Sequence, residues 1–144
     1  MAAIVETNMG QPWSVCSGEP GAGNVAKAVY RGRKRVAYTP FAAHGGYGGI
    51  SVYGYPVGIA GSYGGFAVIW ESRGVYVTRD GGHHWHALPK IARPEVDFGD
   101  WADVSPGNGT AFVLLQYSLG AGEAHRLIET TDAGRTWHVV HRWR

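Results

Sequence analysis

Several side-chain groups in this sequence have types and spacings that chemistry uses. His83-His84-Trp85-His86 is one of them. On an extended strand alternate residues share a face, so His84 and His86 form the kind of pair that ligates zinc, with His138 and His141 as more distant candidates. Spacing fixes no third ligand, and solvent-facing histidines with no metal are the expectation. Glu95, Asp97, Asp100 and Asp103 form an acidic group. Glycoside cleavage needs two carboxylates about 5–9.5 Å apart, and Asp97 and Asp100 are the candidates for that role. Acids at strand ends commonly close turns instead, so beyond these two no catalytic residue is assigned. Arg31-Gly32-Arg33-Lys34-Arg35 is the densest charge run. No aromatic platform flanks it, and it reads as a solvated turn rather than a phosphate site. The glycine runs near residues 18–23 and 120–122 lack the Lys-Ser/Thr of a nucleotide loop, and no cofactor is expected. Asn108-Gly109-Thr110 reads as a turn.

Charge and composition narrow the classes such groups can serve. Thirteen Lys and Arg stand against eleven Asp and Glu, a formal +2, too little to call for nucleic acid or an anionic membrane as partner. The single cysteine, Cys16, excludes an intramolecular disulfide and an all-Cys zinc site. It lies in an apolar run and is expected to be a small buried hydrophobe. No apolar stretch approaches the ~18 residues of a membrane span, and the first residues lack the basic and apolar regions of a signal peptide. A soluble chain is expected, its compartment left open. Glycine supplies 23 of the 144 residues, more than twice its usual share of about 7%. Each costs about 1 kcal/mol relative to Ala inside a helix, whereas aromatic and β-branched runs punctuated by Gly favour many short strands. The expected fold class is all-β.

The elements that carry these groups repeat. Thr78-Arg79-Asp80-Gly81-Gly82-His83-His84-Trp85 and Thr130-Thr131-Asp132-Ala133-Gly134-Arg135-Thr136-Trp137 both fit [S/T]-x-D-x-G-x-x-W, about 50 residues apart. Each follows two apolar runs, residues 66–70 and 75–77 in the first case, 111–115 and 127–128 in the second. Each is followed by another strand-like run, residues 84–88 and 137–140. A degenerate copy lies upstream: residues 13–16 and 28–30 match the two apolar runs, but Gly32-Arg33-Lys34-Arg35-Val36 stands where the motif should follow. The residue types have physical reasons. Asp and Thr can bond free backbone N–H groups in a turn, Gly tolerates positive φ, and Trp buries a large ring while its N–H still finds a partner. Thr78, Asp80, Gly82, Trp85 and Thr130, Asp132, Gly134, Trp137 are therefore structural residues, and the two Asp are turn-formers rather than catalytic acids.

These paired motifs resemble the Asp-box (BNR) repeat of sialidase-like β-propellers, and the segments 13–30 and 111–137 look most like bacterial photosystem II assembly-factor-like propellers. The resemblance covers residues 66–140 well and 12–40 loosely. It implies three four-stranded blades, at about 1–41, 42–90 and 91–144, with each box between a third and a fourth strand. The second blade is expected to begin with a strand over 50–57 and the third near 96–104. Three blades do not close a ring, since propellers usually have four to eight. Such a partial propeller is completed by a second chain, or belongs to a longer protein, or is an open arc covered by a partner.

The resemblance implies a non-enzymatic binding or assembly module that presents loops to a protein or glycan partner. Its ligand face would draw on Tyr53, Tyr55 and Trp101 beside Asp100. The alternative is a glycoside hydrolase of the sialidase or xyloglucanase kind. Against the sialidase branch, the chain shows neither an Arg-Ile-Pro type segment nor a clear equivalent of its Tyr–Glu pair.

Overall fold

A computed structural model describes residues 2–6, 12–18, 26–39, 50, 54–72, 74–88, 98–105, 107–118 and 123–143. Among them there are twelve strands and no helix, so none long and apolar enough to cross a membrane. Strands β1 (Ala2–Glu6), β2 (Trp13–Ser17), β3 (Lys27–Arg31) and β4 (Lys34–Thr39) form the first sheet. The second contains β5 (Pro56–Gly61), β6 (Ala67–Glu71), β7 (Gly74–Thr78) and β8 (His86–Ala87). The third contains β9 (Phe98–Val104), β10 (Ala111–Ser118), β11 (Glu123–Thr130) and β12 (His138–Trp143). Every sheet is an antiparallel meander whose strands pair in chain order. The two box motifs fall in different sheets.

The second sheet lies between the other two. Its Ile59, Ala67 and Ile69 join Trp13, Val15, Val29 and Val36 of the first sheet in one core. From its opposite face Ala60, Val68, Val75 and Val77 join Ala102, Val113, Leu115 and Ile128 of the third in another. Strand alternation produces this division, because residues that pair across a sheet share a side: Ile59 pairs with Ile69, and Ala60 with Val68. The backbones approach through first strands. β5 lies against β1 and β2, and β9 against β5, β6 and β7, while the fourth strands take no comparable part.

The strand expected over 50–57 is displaced. Ile50 is buried in the first core, residues 51–53 lie outside the described residues, and the strand runs from Pro56 to Gly61. Its glycines explain why a sequence poor in side chains is nonetheless a central strand. A Cβ on Gly58 would stand 2.0 Å from Cζ2 of Trp70, and one on Gly61 would stand 2.3 Å from Cδ1 of Trp13. The bare backbone is what lets two indole rings lie flat upon it. The run after the first box is also shorter than expected, reduced to His86 and Ala87, because the turn retains His84. In the first sheet the missing box is replaced by a two-residue turn, Gly32-Arg33, with positive φ at Gly32 (57°) only. That is the pattern a type II′ hairpin asks of its first central residue.

Candidate functional site

The two boxes build the same turn. Thr78 Oγ1 donates to Asp80 Oδ1 at 2.9 Å and accepts from the Gly82 amide at 3.1 Å. In the second copy Thr130 Oγ1 donates to Asp132 Oδ1 at 2.8 Å and accepts from the Gly134 amide at 2.9 Å. Both threonines are fully buried, so a hydroxyl that bridges carboxylate and amide leaves no polar atom stranded. The same Asp oxygens accept from the backbone four residues on, His84 N at 2.9 Å and Thr136 N at 2.8 Å. The second oxygens meet the His84 ring Nδ1 at 2.5 Å and the Thr136 hydroxyl at 2.6 Å. Trp85 Nε1 donates to the Gly82 carbonyl at 2.8 Å and Trp137 Nε1 to the Gly134 carbonyl at 3.0 Å. Gly81, Gly82 and Gly134 take positive φ, and so does Ala133 at 57°, without a glycine's freedom to do so.

These bonds set the electrostatics of the carboxylates. Partial burial pushes Asp80 upward, but the His84 amide and ring and the Thr78 hydroxyl outweigh it and lower its pKa to about 2. The Thr136 hydroxyl and amide, with the Thr130 hydroxyl, hold Asp132 well below the usual carboxylate range. Both are ionised hydrogen-bond acceptors with their lone pairs occupied, the opposite of a general acid kept protonated near neutrality.

Each box is also held from the neighbouring sheet, by contacts that the motif itself does not contain. Trp13 of the first sheet lies over the first box: a Cβ on Gly82 would meet Trp13 Cζ3 at 3.0 Å, and the Trp13 and Trp85 rings meet edge to face at 6.4 Å. Phe66 of the second sheet lies over the second box, where a Cβ on Gly134 would meet Phe66 Cε2 at 3.3 Å. Arg31 stacks 4.8 Å above the Trp13 ring, and its Nη2 donates to the Tyr63 carbonyl at 2.9 Å. Arg79 donates to the Ala133 carbonyl at 3.4 Å. An aromatic residue of one sheet therefore covers the box of the next, and an arginine of that sheet bonds the box itself in one case, Arg79 to Ala133, and the hairpin before it in the other, Arg31 to Tyr63. Within each sheet the box is tied to the preceding hairpin as well, by Gly81 N to Gly65 O at 3.0 Å and Ala133 N to Gly109 O at 2.9 Å.

At the opposite end of the first and second sheets, Lys27 and Glu71 form an ion pair with the side chains each 1% exposed. Nζ donates to both carboxylate oxygens at 2.8 Å. Burial raises Glu71 to about 7 against the opposing pull of Lys27, and burial lowers Lys27 against the pull of Glu71. Sequence gave no sign of this pair, since Lys27 and Glu71 stand in separate strands with ordinary neighbours. The arginine clasps had a readable signal: Arg31 and Arg79 both follow the second apolar run of their unit.

The remaining candidates are dispersed. Tyr53, Glu95 and Asp97 lie outside the described residues, as does the side chain of Asp100, whose backbone is in β9. Asp103 is exposed. Tyr55 is exposed before β5, where its amide bonds Ser72 Oγ at 2.8 Å. Trp101 is exposed on the third sheet, paired with Leu114 on the face turned away from the second. His83, His84 and His86 are exposed, and His84 lies in the turn, so the strand pairing of His84 with His86 does not occur. Among the described residues no group of three or more His, Cys, Asp or Glu is placed to hold a metal ion. Cys16 is half-buried, on the face of the first sheet turned away from the second, rather than in a core. Arg33, Lys34 and Arg35 are exposed, as befits a solvated turn. A scan against protein-family models finds none that matches, and no curated protein matches the chain.

Proposed function

We propose that this chain is an Asp-box propeller segment acting as a non-enzymatic binding or assembly module for a protein or glycan partner. The observation that carries the reading is the occupation of both box carboxylates by their own turns, together with an aromatic residue of the preceding sheet laid over each box and an arginine of that sheet bonded to the box or to the hairpin before it. A repeated joint between successive sheets is what a radial array of blades requires. Sheets that approach through their first strands and diverge towards their fourth fit that arrangement. The chemistry-bearing residues of the motif are spent on architecture, leaving recognition to the exposed loops and aromatic side chains such as Tyr55 and Tyr63. The assembly-factor-like propellers that the sequence resembles suit this role.

The test is a purified chain presented to a glycan array, to immobilised candidate proteins, and to a panel of aryl glycosides and xyloglucan. Saturable retention without turnover is the expected result. Hydrolysis that disappears in Asp97→Asn or Asp100→Asn would replace the reading with a glycoside hydrolase.

A further inference from the structure

The three sheets are joined by one operation applied twice. The face of the second sheet that meets the first contains Ala67 and Ile69, and the face of the third that meets the second contains Ala111 and Val113 at the same register positions. The register follows from Ala67 pairing with the box Thr78 and Ala111 with the box Thr130. The packing is therefore head-to-tail, and a head-to-tail array has two unlike ends. At one end the third sheet shows Phe112, Leu114 and Leu127 half-buried, and Trp101 46% exposed. These stand where Val68, Trp70 and Val75 of the second sheet are covered by the third. At the other end the first sheet shows Ser14, Cys16, Ala28 and Tyr30, all half-buried, with Tyr38 39% exposed.

Charge at the two ends is complementary at the same height. On the third sheet Phe112 is flanked by its cross-strand partners Asp103 and Glu129, in the row nearest the box, and Glu129 also meets His138 Nε2 at 3.4 Å. On the first sheet, next to the Gly32-Arg33 turn that replaces the box, Tyr30 pairs with Arg35, whose guanidinium lies 4.8 Å over Tyr38. Continuing the operation that joins the internal sheets sets Arg35 of one chain beside the acidic row of another.

We infer that a second copy of this chain packs the free face of its first sheet onto the free face of the third, head-to-tail, and that two copies close a ring of six sheets. This rests on the propeller reading proposed above. Two copies give six blades, within the four to eight that close, whereas three copies exceed it. The joint between copies differs from the internal ones. Thr110 stands where Trp13 and Phe66 stand, Thr131 where Arg31 and Arg79 stand, and the first sheet has no box for them to hold. The clasp is missing on both sides together, so the joint rests on face packing and charge and opens before the chain unfolds.

Light scattering on the full chain should give twice the 15.5 kDa of one copy. Arg35→Glu and Glu129→Lys, each placing like charges together, should weaken association at least about tenfold, and the double variant should regain it. Independently, Leu114→Cys should form an oxidative cross-link of two-chain mass that Cys16→Ser abolishes. These two surface positions keep the test open if a charge variant fails to fold. A single-chain mass at tens of micromolar overturns the inference, as does a dimer indifferent to both the charge exchange and the cross-link, or a ladder of larger masses. None of these outcomes touches the binding-module reading, which fails on glycoside turnover whatever the mass.

Discussion

Lys27→Met isolates what the buried ion pair does. Methionine keeps the length and the apolar stem of Lys27 while removing its charge, so packing changes little. The carboxylate of Glu71 is left in a site where its side chain is 1% exposed, with no solvent to screen it. Breaking such a pair from one side typically costs about 3–5 kcal/mol. The deficit must also depend on pH. Glu71 already stands at about 7, above its ordinary 4.5, because of burial, with Lys27 pulling it back down. A carboxyl raised in the folded state contributes stability that is full below the unfolded value near 4.5 and lost as pH rises through the folded value. In Lys27→Met the restraining cation is gone, the folded value moves above about 7, and the loss continues to higher pH than in the parent. The gap between the two proteins should therefore be smallest near pH 4–5 and widen above pH 7, by up to about 1.4 kcal/mol per pH unit. Urea unfolding followed by tryptophan fluorescence at pH 5, 7 and 8 measures it. Lys27→Met/Glu71→Leu should return to within about 1 kcal/mol of the parent, since an apolar pair of similar volume often matches a buried ion pair. A gap below 1 kcal/mol at pH 8, or one that stays constant with pH, would refute the reasoning.

Three further outcomes are expected. Ala133→Gly should stabilise by about 0.5–1 kcal/mol, seen as a raised Tm: it relieves a left-handed Ala costing about 1–2 kcal/mol, and the freer unfolded chain returns part of the gain. Gly58→Ala should destabilise by at least about 1–3 kcal/mol, because its Cβ overlaps the Trp70 ring and the strand or the indole must move; denaturant midpoints decide it. Asp80→Asn should flatten the acid branch of the stability curve. Asp80, lowered to about 2, contributes stability present above its ordinary 3.8 and lost as pH falls through about 2. Acid titration by fluorescence should therefore show the parent losing more stability than the variant between pH 4 and 2.

Much of this protein is local and was readable from local sequence. Apolar runs at 13–16 and 111–115 with glycine at the turns mark the strands, and the Thr-x-Asp-x-Gly spacing specifies the box turns through contacts spanning at most four residues. An all-β chain with two box turns followed from that alone, and their place in separate sheets from the repeat family that the motifs resemble. Other features depend on residues far apart in the chain. Lys27 and Glu71 are 44 positions apart, and Trp13 reaches Ser62 across 49. No local pattern marks a lysine that will be buried or a glycine that will lie beneath an indole. Those outcomes were decided by how the sheets stack, because burial and charge pairing are properties of the surface that a strand meets rather than of the strand itself.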